Sequence, residues 1–496
     1  MTVPKEILAV ERPKNTVVVP YGKNLDRYAV RERVGCRYKE GKRLPTNGKI
    51  IGHIIDMTYV PKAAEIIPSV AHASVDLKDW ANIVLCNNIA NNLLEELRAL
   101  YNNNDSCKLF CCAILRVCVP GIKDYELKNA YEESFLSELY PNVALSKNII
   151  SEFWNDLGRA YSRICKFMEN RVSKIENNHH LIIDGTLKSN DSKINTLSDF
   201  SRKSKIKSAK DISLLYAYDL EASEPVCSKC YPGNMIDATA YENFISENNI
   251  KKGIIVGDKG FPSSCAKDHF SNNTDLHYLN PLKRNSKYIK DFSLLNFSGQ
   301  VRGHDDILFS KEKVSEDKWV YAFKDIQRAH KEDFRWLHNT SKNNSFANDK
   351  YNEDKEFFGV LVLESDIDLE PESVFKIYNS RWEIEIVMRY YKQTCEFDET
   401  RVHDDYSVIG SEFCNFLASV ITYRLINLFD KINLFESFTY KKILRILTRA
   451  KKIKIEGKDW ELIKINPSQE RVLQQLNLIP TLPSSQTARR AKGKEG

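Results

Sequence analysis

The feature that most constrains this chain is a pair of short, almost wholly apolar runs that each deliver an aspartate. In LIIDGT, Asp184 directly follows Leu181, Ile182 and Ile183; in GIIVGD, Asp258 follows Ile254, Ile255, Val256 and Gly257. Near-continuous apolar runs of this length are what strands covered on both faces require. They predict interior strands of an α/β sheet, with carboxylates at the strand ends where ligand sites form in open sheets. A carboxylate there is costly to desolvate unless it is paired or holds a metal. Gly185 follows one aspartate and Lys259-Gly260 the other, so capping the next turn is an alternative use of either residue taken alone.

The surrounding pattern divides the chain. Residues 1–78 read as a small strand-rich module, with TVVVPYG, RYAVRERVG and GKIIGHIID as strands and Asn47-Gly48 as a hairpin turn. Residues 79–178 repeat apolar side chains at three and four and read as helical. Strand and helix signals alternate over 179–282 and resume at 355–400, the pattern of an α/β core. Between them, 283–354 is polar, with strand-like pieces such as KWVYAF, and reads as an insertion. Residues 401–496 read as helical, including the stretch KKILRILTRAKKIKI, up to the tail TLPSSQTARRAKGKEG, which has the composition of a disordered segment.

A helix is predicted from about Glu372 to Gln393. Along it Tyr378, Arg381, Glu385 and Lys392 stand at offsets of 0, 3, 7 and 14, which at ~100° per residue fall within an arc of roughly 60°. Glu385 therefore lies between two cations and a phenol at the margin of a face, carrying Ile377, Ile384, Val387 and Tyr391, that can dock on the sheet. Glu383 points some 140° from Tyr378, off this stripe. An ordinary i,i+4 pair of Arg381 with Glu385 on an amphipathic helix is the plainer reading of the same residues.

Three carboxylates on separate elements, Asp184, Asp258 and Glu385, can hold two divalent cations ~3.5–4 Å apart for phosphodiester displacement. Their hard oxygen donors favour Mg²⁺, with Mn²⁺ as a substitute. Arg381 and Lys392 would contact phosphates, one bidentately and one as a point charge.

Charge is informative only locally. The net charge is +6, from 73 basic and 67 acidic residues. Basic residues crowd 202–210, then Lys283, Arg284, Lys287 and Lys290, then 441–454, then Arg489 to Lys494; such clusters suit phosphate contact and are equally at home on a solvated surface. No run of ~18 apolar residues occurs, and LFCCAILRVCVPGI is interrupted by Arg116 and Pro120, so the expected location is cytoplasmic, nucleoid-associated when bound to DNA. Twelve cysteines at irregular positions read as reduced thiols. Cys227-x2-Cys230 could make a zinc site with Cys265 and His269, but the spacing fits no common zinc module, and buried thiols are the reading preferred.

The pattern Tyr378-x2-Arg381-x3-Glu385-x6-Lys392 resembles the Y-R-E-K signature of bacterial insertion-sequence transposases of the insertion sequence 4 clan. IIDGT resembles the first-aspartate segment of that family, EPVCSKCYPGNMID through VGDKGF its approach to the second aspartate, and YLNPLKRNSK the segment that follows. The carboxylates are separated by 258 − 184 = 74 and 385 − 258 = 127 residues, and the resemblance covers about 180–425. It implies an RNase H-like mixed-sheet catalytic core with a β-rich insertion, flanked by a small β module and helical regions. It also implies catalytic and metal-binding roles for Asp184, Asp258 and Glu385, and contacts to DNA phosphates from Tyr378, Arg381, Lys392, Lys283 and Arg284. The activity implied is cut-and-paste transposition, with water nicking the element end and the freed 3′-hydroxyl attacking the opposite strand, to give a hairpin in related enzymes. Terminal inverted repeats and target DNA would be partners, and bringing two ends together calls for a homodimer. Trp319 or Trp336 would be available to stack on a flipped base, against the ordinary use of tryptophan in a core. The competing functions are an RNase H-like nuclease without strand transfer and an inactive, transposase-derived DNA-binding protein.

Overall fold

The computed structural model describes the chain except residues 1–2, 22–26, 40, 63–74, 191, 193, 202–203, 205–209, 236, 258–269, 271, 285, 344, 382–399, 401 and 481–496. Asp258, Cys265, His269, Glu385, Lys392 and the basic tail thus lie outside the described residues. The chain forms two compact units, one of Met1–Asp76 with Lys454–Asp459, the other of Leu77–Ile453 with the residues from Trp460 onward.

In the first unit, β1 (Thr16–Tyr21), β2 (Arg27–Lys39), β3 (Lys42–Ile55) and β4 (Thr58–Pro61) form an antiparallel sheet in sequence order. Val18, Val30 and Ile54 make a small core, packed by Ile7 from the helix Lys5–Ala9. The expected turn at Asn47-Gly48 is wrong. Asn47 pairs with Arg33 inside a continuous β3, at a point where the register slips, and the hairpin closes beyond the Lys39↔Lys42 pair. Gly41 there takes φ 76°, a left-handed conformation that costs glycine nothing; the glycine of Asn47-Gly48 instead accommodates the crowded slip.

The second unit begins within β5 (Val75–Asp79), at Leu77. The helices Ala81–Arg98, Asn103–Cys118, Lys147–Arg159 and Tyr161–Val172 bury their apolar faces in one large core. The apolar stretch around Leu109–Cys118 is a helix buried on all sides, ending before Pro120. Arg116 is tolerated inside it because its guanidinium donates to Ser411 O at 2.8 Å and Asn415 Oδ1 at 2.7 Å on the helix Asp405–Lys431.

Among the described residues the sheet of this unit has ten strands. β6 (His180–Ser189), β8 (Lys210–Asp219) and β9 (Glu224–Pro232) form an antiparallel meander, with the short β7 (Asp199–Phe200) also on β8. β10 (Gly253–Val256) and β11 (Leu276–Pro281) then add in parallel on the other side of β6. The local order β9-β8-β6-β10-β11, three antiparallel strands and then two parallel ones, is that of an RNase H-like core. β15 (Val360–Ser365) pairs antiparallel with β11. β12 (Gly299–Gln300), β13 (Ile307–Ser315) and β14 (Lys318–Asp325), all within 283–354, carry the same sheet onward from β15.

The C-terminal region is not helical throughout as expected. The helix Tyr440–Thr448 gives way to β16 (Lys451–Ile455), paired antiparallel with β17 (Glu461–Leu462). Lys-Ile-Lys-Ile alternates with period two, which suits a strand, and helical periodicity ends with Leu447. A final helix, Pro467–Gln475, is closed by a capping box from Asn466 and Gln469. Among the described residues no helix is long and apolar enough to cross a membrane.

Candidate functional site

Asp184 lies at the middle of β6, paired across the sheet with Tyr216. Side chains two apart on a strand share a face, so Asp184 stands on the face of Ile182 and Lys188. Ile182 packs in one cluster with Val256, Leu279, Val374, Phe375 and Tyr378. The last three belong to the helix that occupies 371–381. Further along the same face, Lys188 donates to Glu412 of the helix Asp405–Lys431 at 2.6 Å. Asp184 is partly exposed between these two contact rows, whereas Ile182 and Lys188 are each 1% exposed. The sheet thus keeps this carboxylate in reach of solvent while burying its neighbours.

The parallel strands come to the same level. Val256 pairs with Ile182 on one side and Leu279 on the other, and Gly257 N donates to Leu279 O at 3.0 Å. β10 therefore hands the chain on at Gly257, beside the part of β6 that carries Asp184. Two residues beyond the paired positions, Asp184 and Pro281 stand level with each other, two strand spacings or about 10 Å apart.

Pro281 lines a cleft of about 740 Å³ at the end of β11. Lys283, Arg284, Arg328, Tyr378 and Arg381 line it too, with Asp325 as an opposing charge. Four residues expected at phosphates, Lys283, Arg284, Tyr378 and Arg381, are thereby brought to one cavity. Tyr378 is only 9% exposed and belongs to the core cluster as much as to the cleft. The Arg381 guanidinium lies 5.7 Å from the centre of the Tyr378 ring, a cation–π distance.

Arg328 and Glu332 went unnoticed in the sequence. Glu332 accepts from both terminal nitrogens of Arg284 at 2.9 and 3.0 Å, from Arg328 Nε at 2.9 Å and from Gly359 N at 2.9 Å. Burial alone pushes its pKa up, but the bonds from Arg284, Gly359 and Arg328 outweigh that and hold the carboxyl down at about 2. Gly359 has φ 71°, and a Cβ there would meet Asp325 O at 2.2 Å, so only glycine lets this loop run against the first turn of the helix Ile326–Lys342. The only sequence signal was the i,i+4 spacing of Arg328 and Glu332.

A different group of donors, His179, Asp219 and Glu221, has atoms within 4.8 Å of one another and could hold a metal. It lies at the start of β6, five residues or roughly 16 Å along the strand from Asp184. Its oxygens already have hydrogen-bond partners. Asp219 accepts from His179 Nδ1 at 2.7 Å and from the N–H groups of Glu221 and Ala222 at 3.0 Å, and Glu221 accepts from His180 N and Nδ1 at 2.7 Å. Burial raises the Glu221 pKa, but the His180 bonds prevail and leave it below its ordinary value. These bonds lock the turn from β8 to β9.

Cys227 is buried and Cys230 partly buried on β9, pairing with Ala217 and Leu214. Three apart on a strand, they face opposite sides of the sheet and cannot share an ion. Trp336 donates to Asp354 at 2.9 Å and packs on Phe346 and Tyr351. Trp319 is partly buried against the core cluster. Both have ordinary packing roles.

Residues 178–408, a little under half of the chain, match the family model of the transposase DDE domain. No curated protein matches the chain. Among solved structures, a piggyBac transposase synaptic complex with hairpin DNA is similar at 12% identity and a TM-score of 0.37, over 84% of this chain and 85% of that one. A Mos1 transposase paired-end complex with left transposon end is similar at 13% identity and a TM-score of 0.15, over 32% of this chain and 58% of that one.

Proposed function

We propose that this chain, whose residues 178–408 match the family model of the transposase DDE domain, is a DNA transposase that cuts at element ends and joins them to target DNA. The observation that carries the reading is the partly exposed Asp184, on a sheet face otherwise covered, at the edge where β10 leads toward Asp258 and on the face where the helix leading toward Glu385 docks.

Asp184, Asp258 and Glu385 are the proposed metal-binding and catalytic residues. All three offer hard oxygen donors, and the partial exposure of Asp184 leaves it accessible to an ion, so the set fits two divalent cations, Mg²⁺ with Mn²⁺ as a substitute. Such a pair supplies activation of the attacking oxygen and stabilisation of the leaving one. The remaining work falls to this chain's own groups. Arg381, Arg284 and Lys283 line one cleft and would hold the DNA backbone by its phosphates; Lys392 would add a further phosphate contact. Tyr378, wedged in the core beneath Arg381, would fix the direction of that guanidinium. Water or a 3′-hydroxyl would approach a phosphate held between this basic wall and the carboxylates. A homodimer would bring two ends together, and the helical and N-terminal regions would recognise the terminal repeats.

Labelled DNA from both flanks of the reading frame, incubated with the protein and Mg²⁺, tests this. Excised and joined products are expected. Cleavage without joining would support an RNase H-like nuclease, and a mobility shift without cutting would support an inactive DNA-binding protein.

A further inference from the structure

We propose that Glu332 sets Arg284 and Arg328 side by side as a two-guanidinium seat for a DNA backbone phosphate, with Glu332 as the positioning residue. The inference rests on the transposase reading and adds to it two residues outside the signature. Arg284 follows β11, and Arg328 stands in the first turn of the helix Ile326–Lys342, 44 residues later. One carboxylate holds both. Its Oε2 takes Arg284 and Gly359, its Oε1 takes Arg284 and Arg328, so its acceptor capacity is filled by groups that fix it from the backbone and from two sides.

The order of charges is what separates a seat from a mere cross-link. Glu332 is 20% exposed and does not line the cleft; Arg284 at 36% and Arg328 at 45% both do. The anion is behind and the cations are in front. Two guanidiniums against Glu332 leave one positive charge; Arg381 and Lys283 add two and Asp325 removes one, so the cleft stays positive. Arg328 bonds Glu332 through Nε, which leaves its terminal amino groups for a ligand; a guanidinium has five donors in a fixed fork that suits phosphate oxygens. Arg284 meets Glu332 through one hydrogen on each terminal nitrogen, a forked pair that fixes the plane of the group. A seat held in advance loses less side-chain freedom when the phosphate arrives. Mononucleotides would share this chemistry, but a phosphate seat that shares its cleft with Arg381 and with Pro281, at the end of the strand paired with β10, fits a polymer that runs on toward the carboxylates.

The test is binding of the full chain to a fluorescent mixed-sequence DNA duplex over a KCl series. Arg284→Ala and Arg328→Ala are each expected to weaken binding about 3- to 10-fold and to flatten the slope of log K against log salt by about one. Arg284→Lys and Arg328→Lys, which keep the charge, are expected to retain the slope and so exclude misfolding as the cause. Glu332→Gln keeps both cations and is expected to retain the slope while cutting DNA about tenfold more slowly at saturating DNA. Wild-type slopes in both alanine variants, with wild-type protein that binds and cuts, overturn the seat alone. Equal flattening in Arg335→Ala, an exposed arginine of the same helix outside the cleft lining, also overturns it, as general attraction. Wild-type protein that binds no DNA overturns the transposase reading together with the seat.

Discussion

Lys188 Nζ lies 2.6 Å from Glu412 Oε1, in a pair whose side chains are 1% and 5% exposed, four residues beyond Asp184 on the same face of β6. Asn415 also donates to Glu412 at 3.1 Å, and Arg116 to Asn415, so the strand that carries the first carboxylate is tied through a buried polar chain to two helices. Breaking one side of such a pair strands a charge in the interior. Lys188→Met is expected to lower the unfolding free energy by about 3–5 kcal/mol, whereas Lys188→Met with Glu412→Leu should recover most of it. Urea unfolding of the two variants checks this; equal losses in both would mean the pair is not the element at stake.

The Arg381 guanidinium lies over the Tyr378 ring and lines the cleft with Lys283, Arg284 and Arg328. Arg381→Ala is expected to weaken a step after initial binding, changing the ratio of nicked to joined products while end binding stays within a few-fold. An unchanged product distribution would count against its assigned place.

Glu332 gives the protein a calculable acid response. Its folded pKa of about 2 is below its ordinary value of 4.5, so the unfolded chain takes up the proton first as pH falls. The stabilisation is fully present above the ordinary value and is lost as pH drops from 4.5 toward 2. Wild type should therefore lose more stability over that interval than Glu332→Gln, read as the difference in thermal midpoint at each pH. Parallel curves would show that Arg284 and Arg328 do not hold the carboxylate ionised.

Cys227 and Cys230 face opposite sides of β9, and burial raises both thiols well above their ordinary range. Neither should be alkylated in native protein, while the exposed Cys36 should be. Mass spectrometry after alkylation, with and without a chelator, checks this. Labelling of Cys227 and Cys230 on chelation would revive a zinc site.

Features set by local pattern were legible in the sequence. The apolar runs at Leu181–Ile183 and Ile254–Val256 are adjacent interior strands, and Tyr378 and Arg381 share a cleft with Lys283 and Arg284. What failed depended on competition or distance. Asn47-Gly48 has turn chemistry, but pairing with β2 continues through it and Gly41 closes the hairpin instead. Lys451–Ile455 continues a basic helix in composition, yet its period of two places it in a strand. Glu332 joins Arg284 across 48 residues, and Lys188 joins Glu412 across 224; no spacing rule reaches so far, because such pairs exist only once the sheet has brought them together.

Iron-directed cleavage of the protein itself tests the central claim most directly. Fe²⁺ in place of Mg²⁺, with ascorbate and peroxide, cuts the polypeptide near bound metal. Cuts clustered near Asp184, Asp258 and Glu385, all suppressed in Glu385→Gln, are the predicted result. Cuts confined to the neighbourhood of His179, Asp219 and Glu221, unaffected by that substitution, would contradict it.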